Sequence, residues 1–499
     1  MAQVGDISPA QAEKAKKAPL GLKVSKPKNG CITAVNDASF FCDYVREVFL
    51  SEPVFGKTRK DRAKVWNQGG LTIRTTLDPQ AQESVHQSLK DHVNKSDSVA
   101  AASTLVEPGT GRIVAMGQSK PYGYGKNETE INYSVDHAVG GSNFGFPTGS
   151  TFKPFLAAAA LEENVPATKE YSSPYDMDYP SPIQTCDKPW INDNGYRVEN
   201  ENESEVGPYR LKEAMAKSVN TYFVQMLADI GLCPVSSMAD KLHVHQGNGD
   251  KLPQNPSALA LGSVGMSPLT MASAYATFAS RGMYCTPVAI ESITQKVGNK
   301  QKSLEVPKST CSRAMAEKTA DSVNTLLQGV VDSGTGKEAG LSDRANAGKT
   351  GTTDERKNAW FVGYTPNMSG AVWVGSATQK VEMKNITIGG VYHPLVFGGA
   401  VPGPIWKDAM TGALEGKDSP SFNLVDIPDG DKNKDKDKDK GRDEDKPDDG
   451  NNGDGDGNNG DDEGFIAGLT DGGNGNGGGD GGFPGNLIQG PGNGPGGRR

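Results

Sequence analysis

Strand signals at both ends of one long stretch, with helical signals between them, most restrict what this chain can fold into. Residues 71–76, Leu71-Thr-Ile-Arg-Thr-Thr76, alternate as a strand does, and Asp78-Pro79 opens a helix that continues to Val93. Residues 103–107 and 112–117 flank Pro-Gly-Thr-Gly and read as a hairpin. A second hairpin is predicted from residues 344–352 against 359–363, and residues 371–375 supply one more strand. The sequence between the two groups is mostly helix and loop. That order fits an α+β fold: one antiparallel sheet built from both ends of the domain, with a helical subdomain inserted between.

Flanking segments are simpler. Residues 7–18 carry Ser8 and Pro9 ahead of strong helix formers and predict a short helix; a Lys/Pro/Gly-rich connector follows, then a helix over 40–50. From 418 onward Asp-Lys repeats give way to Gly, Asn, Asp and Pro, a composition that cannot offset its ordering entropy, so 418–499 is expected to be disordered. A calcium loop at Asp454 is not supported, since Asn459 and Phe465 stand where Gly and Glu are needed.

The formal charge of −9 belongs to this tail: residues 428–499 hold 17 acidic and 9 basic side chains, leaving the rest near neutral. That excludes the basic stripe a nucleic-acid binder needs. The longest apolar run, residues 155–161, is too short to span a bilayer, and the first thirty residues show no basic stretch followed by an apolar one. Six cysteines (Cys31, Cys42, Cys186, Cys233, Cys285, Cys311) have no C-x-x-C spacing. No metal or cofactor is called for, because only His243 and His245 are close-paired and no H-E-x-x-H occurs.

Three short motifs carry chemistry. In Pro147-Thr-Gly149-Ser150-Thr-Phe-Lys153-Pro154 a turn opens into an apolar helix, so Ser150 sits at a helix N-terminus with Lys153 on the same face. A desolvated lysine there can serve as general base toward a hydroxyl. Pro154 withholds the donor that would satisfy the Ser150 carbonyl in a regular helix. Alone the pattern is weak, for Ser25-Lys-Pro-Lys28 matches it within the connector. Lys217-Ser218-Val-Asn220 offers a hydroxyl for proton relay and an amide for a substrate carbonyl, although it also fits the polar side of an amphipathic helix over 211–230. Gly348-Lys349-Thr350-Gly351-Thr352 ends a strand. There Lys349 attracts a carboxylate, Thr350 and Thr352 can bond it, and Gly351 lets a substrate backbone approach. A P-loop is excluded by Asp343 and by the strand that follows.

S-x-x-K, S-x-N and K-T-G in this order, 68 and 131 residues apart, resemble the active-site set of serine penicillin-binding proteins and β-lactamases. Gly70-Leu-Thr-Ile-Arg-Thr-Thr-Leu-Asp-Pro79, Gly334-Thr-Gly-Lys337 and Trp360-Phe-Val-Gly-Tyr364 extend the resemblance to class A penicillin-binding proteins over residues 23–415. Pro147-Thr148-Gly149 replaces that family's usual Pro-Gly, and S-V-N replaces the S-D-N of class A β-lactamases. The membrane helix and glycosyltransferase domain of the class are not seen ahead of the matching part. The chain is therefore expected to begin inside a longer protein, with 1–24 a remnant and connector, 25–98 an N-terminal part packed on the transpeptidase, 99–417 the transpeptidase and 418–499 the tail.

The resemblance implies a serine D,D-transpeptidase that cross-links peptidoglycan stem peptides and is acylated by β-lactams, extracytoplasmic at the membrane or wall, with other cell-wall synthesis proteins as partners. It makes Ser150 the nucleophile, Lys153 its base, Ser218 the proton relay, Asn220 and Lys349 further members of the catalytic set, and Thr350, Gly351 and Thr352 the substrate binders. The N–H groups of Ser150 and Thr352 would form the oxyanion hole. A D,D-carboxypeptidase, a β-lactamase or a non-catalytic β-lactam sensor keeps the same motifs. The implied location also permits disulfides. Fifteen connectivities exist; 31–42 and 285–311 each close a short loop, which leaves 186–233.

Overall fold

Alternation along the late strands decides the architecture, and it is easiest to follow from the N-terminus. In the computed structural model, which describes residues 1–19, 30–35, 37–378 and 380–427, helix α1 (Pro9–Lys17) starts at Ser8, which shares a reciprocal capping box with Gln11. Helix α2 (Ser39–Ser51) buries Phe40, Phe41, Tyr44, Val45, Phe49 and Leu50. The highly charged α3 (Arg59–Gln68), which apolar periodicity does not announce, is started by a Thr58–Asp61 capping box. Strand β1 (Leu71–Thr75) leads into α4 (Pro79–His92), where Asp78 accepts from the N–H groups of Gln80 and Ala81. The early hairpin is β2 (Ala100–Val106) with β3 (Ile113–Gln118). The Ser25–Lys28 motif lies outside the described residues, as does everything beyond Ile427.

Strand β1 pairs with β4 (Ile290–Val297), itself a hairpin with β5 (Lys300–Leu304), in a separate three-stranded sheet. The main sheet adds β6 (Ala347–Thr352), β7 (Asn358–Thr365) and β8 (Met368–Gly375), all antiparallel in the order β6-β7-β8-β2-β3. Its edges come from the two ends of the domain, as the strand order implies. Phe361, Val372 and Val374 point to one face, where α4 and α12 (Pro402–Ala413) cover them. Trp360, Val362, Tyr364, Ala371 and Trp373 point to the other, against the helical region. Because both faces are covered, these strands are buried at every position rather than every second one.

The helical region contains α5 (Lys153–Glu162), α6 (Leu211–Lys217), α7 (Asn220–Ile230), α8 (Leu232–Lys241), α9 (Pro256–Leu261), α10 (Pro268–Ala279) and α11 (Glu317–Asp332). Three disulfides join Cys31 to Cys42, Cys186 to Cys233 and Cys285 to Cys311. Among the described residues no helix is long and apolar enough to cross a membrane.

Two expectations need correction. The single helix over 211–230 is broken: Ser218 takes a left-handed conformation (φ 65°, ψ 34°) that ends α6, and α7 restarts at Asn220. The disorder expected from 418 is not found in residues 418–427 either. Thr325 of α11 exchanges hydrogen bonds with the Val425 backbone at 2.9 and 3.1 Å, Phe422 meets Tyr364 with ring centroids 5.5 Å apart, and Ile427 is buried. Two apolar side chains and a pair of backbone hydrogen bonds dock that segment.

Candidate active site

Pro154 cannot donate to the Ser150 carbonyl, and the chain answers with a tighter turn. Residues 149–152 form a 3₁₀ turn in which the Lys153 N–H bonds the Ser150 carbonyl, and α5 begins only at Lys153. The turn is fastened from several sides. Trp360 Nε1 donates to Pro147 O at 2.8 Å, Tyr275 Oη donates to Thr151 O at 2.7 Å, and the Gly262 carbonyl accepts from the N–H groups of Thr148 and Gly149. Gly149 is left-handed (φ 57°), and a Cβ there would lie 2.6 Å from Thr352 O. The serine turn and the end of β6 are thus in backbone contact.

Gly351 makes that contact possible on the strand side. Expected to admit a substrate backbone, it admits the protein's own: a Cβ on Gly351 would stand 2.2 Å from Thr148 O. Gly351 thus serves the packing of β6 against the serine turn, and among the residues of β6 it is Thr350 and Thr352 that line the adjoining cleft.

The three motifs converge on one hydroxyl. Lys153 Nζ lies 2.5 Å from Ser218 O, 2.6 Å from Asn220 Oδ1 and 3.2 Å from Ser218 Oγ, while Lys349 Nζ donates to the same Oγ at 2.8 Å and to Thr350 O at 3.2 Å. Asn220 Nδ2 in turn donates to Glu199 O at 2.7 Å. The left-handed Ser218 is what aims carbonyl, hydroxyl and Asn220 amide at the amines, a strained backbone of the kind that clusters at functional sites. The second S-x-N is plainly different: Ser322 Oγ bonds Lys318 O within α11, and Asn324 accepts from Tyr364 Oη at 2.7 Å in the core.

Both lysines are 0% exposed. Burial, and then the charge of Lys349, hold the Lys153 amine well below the usual lysine range, against the pull of Glu205 and Glu201. Burial pushes Lys349 down to about 7, again opposed by Glu205. A neutral Lys153 can donate to its two closest acceptors and keep a lone pair.

Above these amines opens a cleft of about 1470 Å³ lined by Ser150, Ser218, Asn220, Thr350 and Thr352, with Glu205 and Thr335. Ser150 Oγ makes no hydrogen bond among the described residues. Thr335, from the Gly334-Thr-Gly-Lys337 segment, pairs its hydroxyl with that of Thr350 at 2.6 Å. Thr335 lies in a segment that carries the resemblance but gets no role from the sequence, and Glu205 is one polar residue in a polar loop.

The penicillin-binding protein transpeptidase domain model matches residues 101–410. The chain belongs to that family. Among similar penicillin-binding proteins, penicillin-binding protein 1A of Mycolicibacterium smegmatis is 29% identical over 71% of this chain, and that of Mycobacterium tuberculosis 28% over the same share. The matches span 43% and 41% of those relatives' own lengths. The structure of M. tuberculosis PonA1 in complex with penicillin V is similar with a TM-score of 0.57 and 27% identity, covering 73% of this chain and 92% of that one. The transpeptidase domain of an Eggerthella lenta peptidoglycan glycosyltransferase, at 21% identity and a TM-score of 0.54, shares the fold.

Proposed function

We propose that this chain is a serine D,D-transpeptidase acting on peptidoglycan stem peptides outside the cytoplasmic membrane, acylated on Ser150 by substrate and by β-lactams. The observation that carries this is the convergence of Lys153 and Lys349 on Ser218 Oγ beneath a cleft that contains Ser150. In this reading Ser150 Oγ attacks the carbonyl between the last two D-alanines and gives its proton to the neutral Lys153 amine. The proton passes through Ser218 to the nitrogen of the departing D-alanine, and the ester on Ser150 is then opened by an amine of a second stem.

Lys349, Thr350 and Thr352 hold the terminal carboxylate, Lys349 as a charge below the cleft floor and the threonines as hydroxyls within it. Asn220 bonds the amide of the donor stem. The Ser150 and Thr352 N–H groups stabilise the oxyanion, a role supported by the backbone contact of their two segments. Transpeptidase, carboxypeptidase and sensor separate in one assay: a peptide ending in D-Ala-D-Ala is offered with and without an amine acceptor. Transpeptidation releases D-alanine and joins the acceptor to the shortened peptide. Release with water alone as acceptor identifies a carboxypeptidase, and no release contradicts an enzyme of either kind.

A further inference from the structure

Two lysines buried against one hydroxyl repel each other and have lost their hydration, so a counter-charge must stand close by if either is to stay protonated. Glu205 is the acid whose charge reaches both Lys153 and Lys349. Glu201 reaches only Lys153 and is already bound to Arg356 at 2.5 Å.

Glu205 is held in place with some care. Its backbone N–H donates to Asn202 O, and its carbonyl accepts from Asn200 Nδ2 at 2.7 Å. Asn200 is buried and accepts from the Thr221 N–H in the first turn of α7. Carboxylate Oε1 accepts from Asn202 Nδ2 at 2.8 Å, whereas Oε2 is shut off from solvent and has no hydrogen-bond partner. A shielded carboxylate oxygen without a donor is costly and calls for a reason. A surface ion pair is not that reason, because nearby Lys217 bonds Glu213 at 2.8 Å and sits over the Tyr209 ring.

We infer that Glu205 is a positioning residue of this site, the counter-charge that keeps Lys349 an ammonium for the substrate carboxylate while Lys153 stays neutral to accept the Ser150 proton. The groups that share its field are Tyr209 and Lys217 on the same cleft wall, Lys153 from α5 and Lys349 from β6, with Glu201 and Arg356 beside the cleft. Two adjacent buried amines disfavour double charge, so with one acid for both only one keeps its proton, and the acylation reading assigns that proton to Lys349. The inference rests on the acylation reading above and assigns Glu205 no contact with substrate.

The test compares wild type, Glu205→Gln and Glu205→Asp in acylation by a carboxylate-bearing penicillin and by its methyl ester, each from acidic to alkaline pH. Gln keeps the shape and the Asn202 bond without the charge; Asp keeps the charge. Glu205→Gln should move the alkaline fall of penicillin acylation to lower pH and slow it about tenfold at neutral pH. The ester, which gives Lys349 no carboxylate, should be little affected, and Glu205→Asp should follow wild type. An unmoved profile in Glu205→Gln, or equal loss toward penicillin and ester, overturns the inference. If Glu205→Gln does not fold, NMR titration of the wild-type lysine side chains decides: one charged and one neutral amine at neutral pH supports it, and two alike overturns it. Ser150→Ala keeps the two readings apart. Labelling that persists in that variant sinks the acylation site itself, whereas lost labelling with an unmoved Glu205→Gln profile sinks only the role of Glu205.

Discussion

Lys153 and Lys349 share one hydroxyl, with Ser218 Oγ 3.2 Å from the first amine and 2.8 Å from the second. Residues far apart in sequence meet there because the helix over 211–230 breaks at Ser218 and because β6, an edge strand, ends against the serine turn.

Removing that hydroxyl should therefore be far costlier than removing its look-alike. Ser218→Ala is expected to slow penicillin acylation by about 100-fold or more, the usual scale for a lost proton-transfer group. Ser322→Ala, which gives up only a bond to Lys318 O inside α11, should acylate at close to the wild-type rate. Stopped-flow acylation of both variants checks this, and equal losses would show the wrong motif had been chosen.

Gly351→Ala tests whether the glycine serves the protein or its ligand. A methyl group 2.2 Å from Thr148 O must push the serine turn off β6, so the variant should lose about 1–3 kcal/mol of stability as well as its acylation. Denaturant unfolding without ligand measures the first effect. A fully stable variant that only binds substrate poorly would return Gly351 to the substrate.

Stability should also depend on pH through His245, whose Nε2 lies 3.0 Å from Asp136 Oδ2. That hydrogen bond, acting against burial, raises its folded value above the ordinary 6.5. The raised value means a contribution fully present below 6.5 and lost as pH rises through the folded value. His245→Gln should shrink the difference between unfolding midpoints on the two sides of that window. It should not erase it, because His86 beside Asp37 titrates with the same sign. A variant as pH-dependent as wild type would contradict this.

What could be read from sequence and what could not divide along physical lines. Ser150, Ser218 and Lys349 were legible because each sits in a short motif with its own local chemistry, and the sheet was legible because its strands fall into two groups separated by helices. The break at Ser218 was not, since the apolar periodicity of 211–230 runs through it and the left-handed turn is imposed by what Lys153 and Asn220 require around it. Thr335 and Glu205 gain their meaning only from Thr350 and the two lysines across the cleft. Docking of 418–427 depends on Phe422, Val425 and Ile427 finding Tyr364 and α11, which no local pattern announces.

The central claim is that Ser150 forms the acyl bond, and the most direct measurement is the mass of the protein after incubation with penicillin, followed by peptide mapping of the adduct. One penicilloyl group should be found, on the peptide that contains Ser150, and none on the Ser150→Ala variant. An adduct that persists in Ser150→Ala, or that maps to another residue of the wild-type chain, would contradict the account.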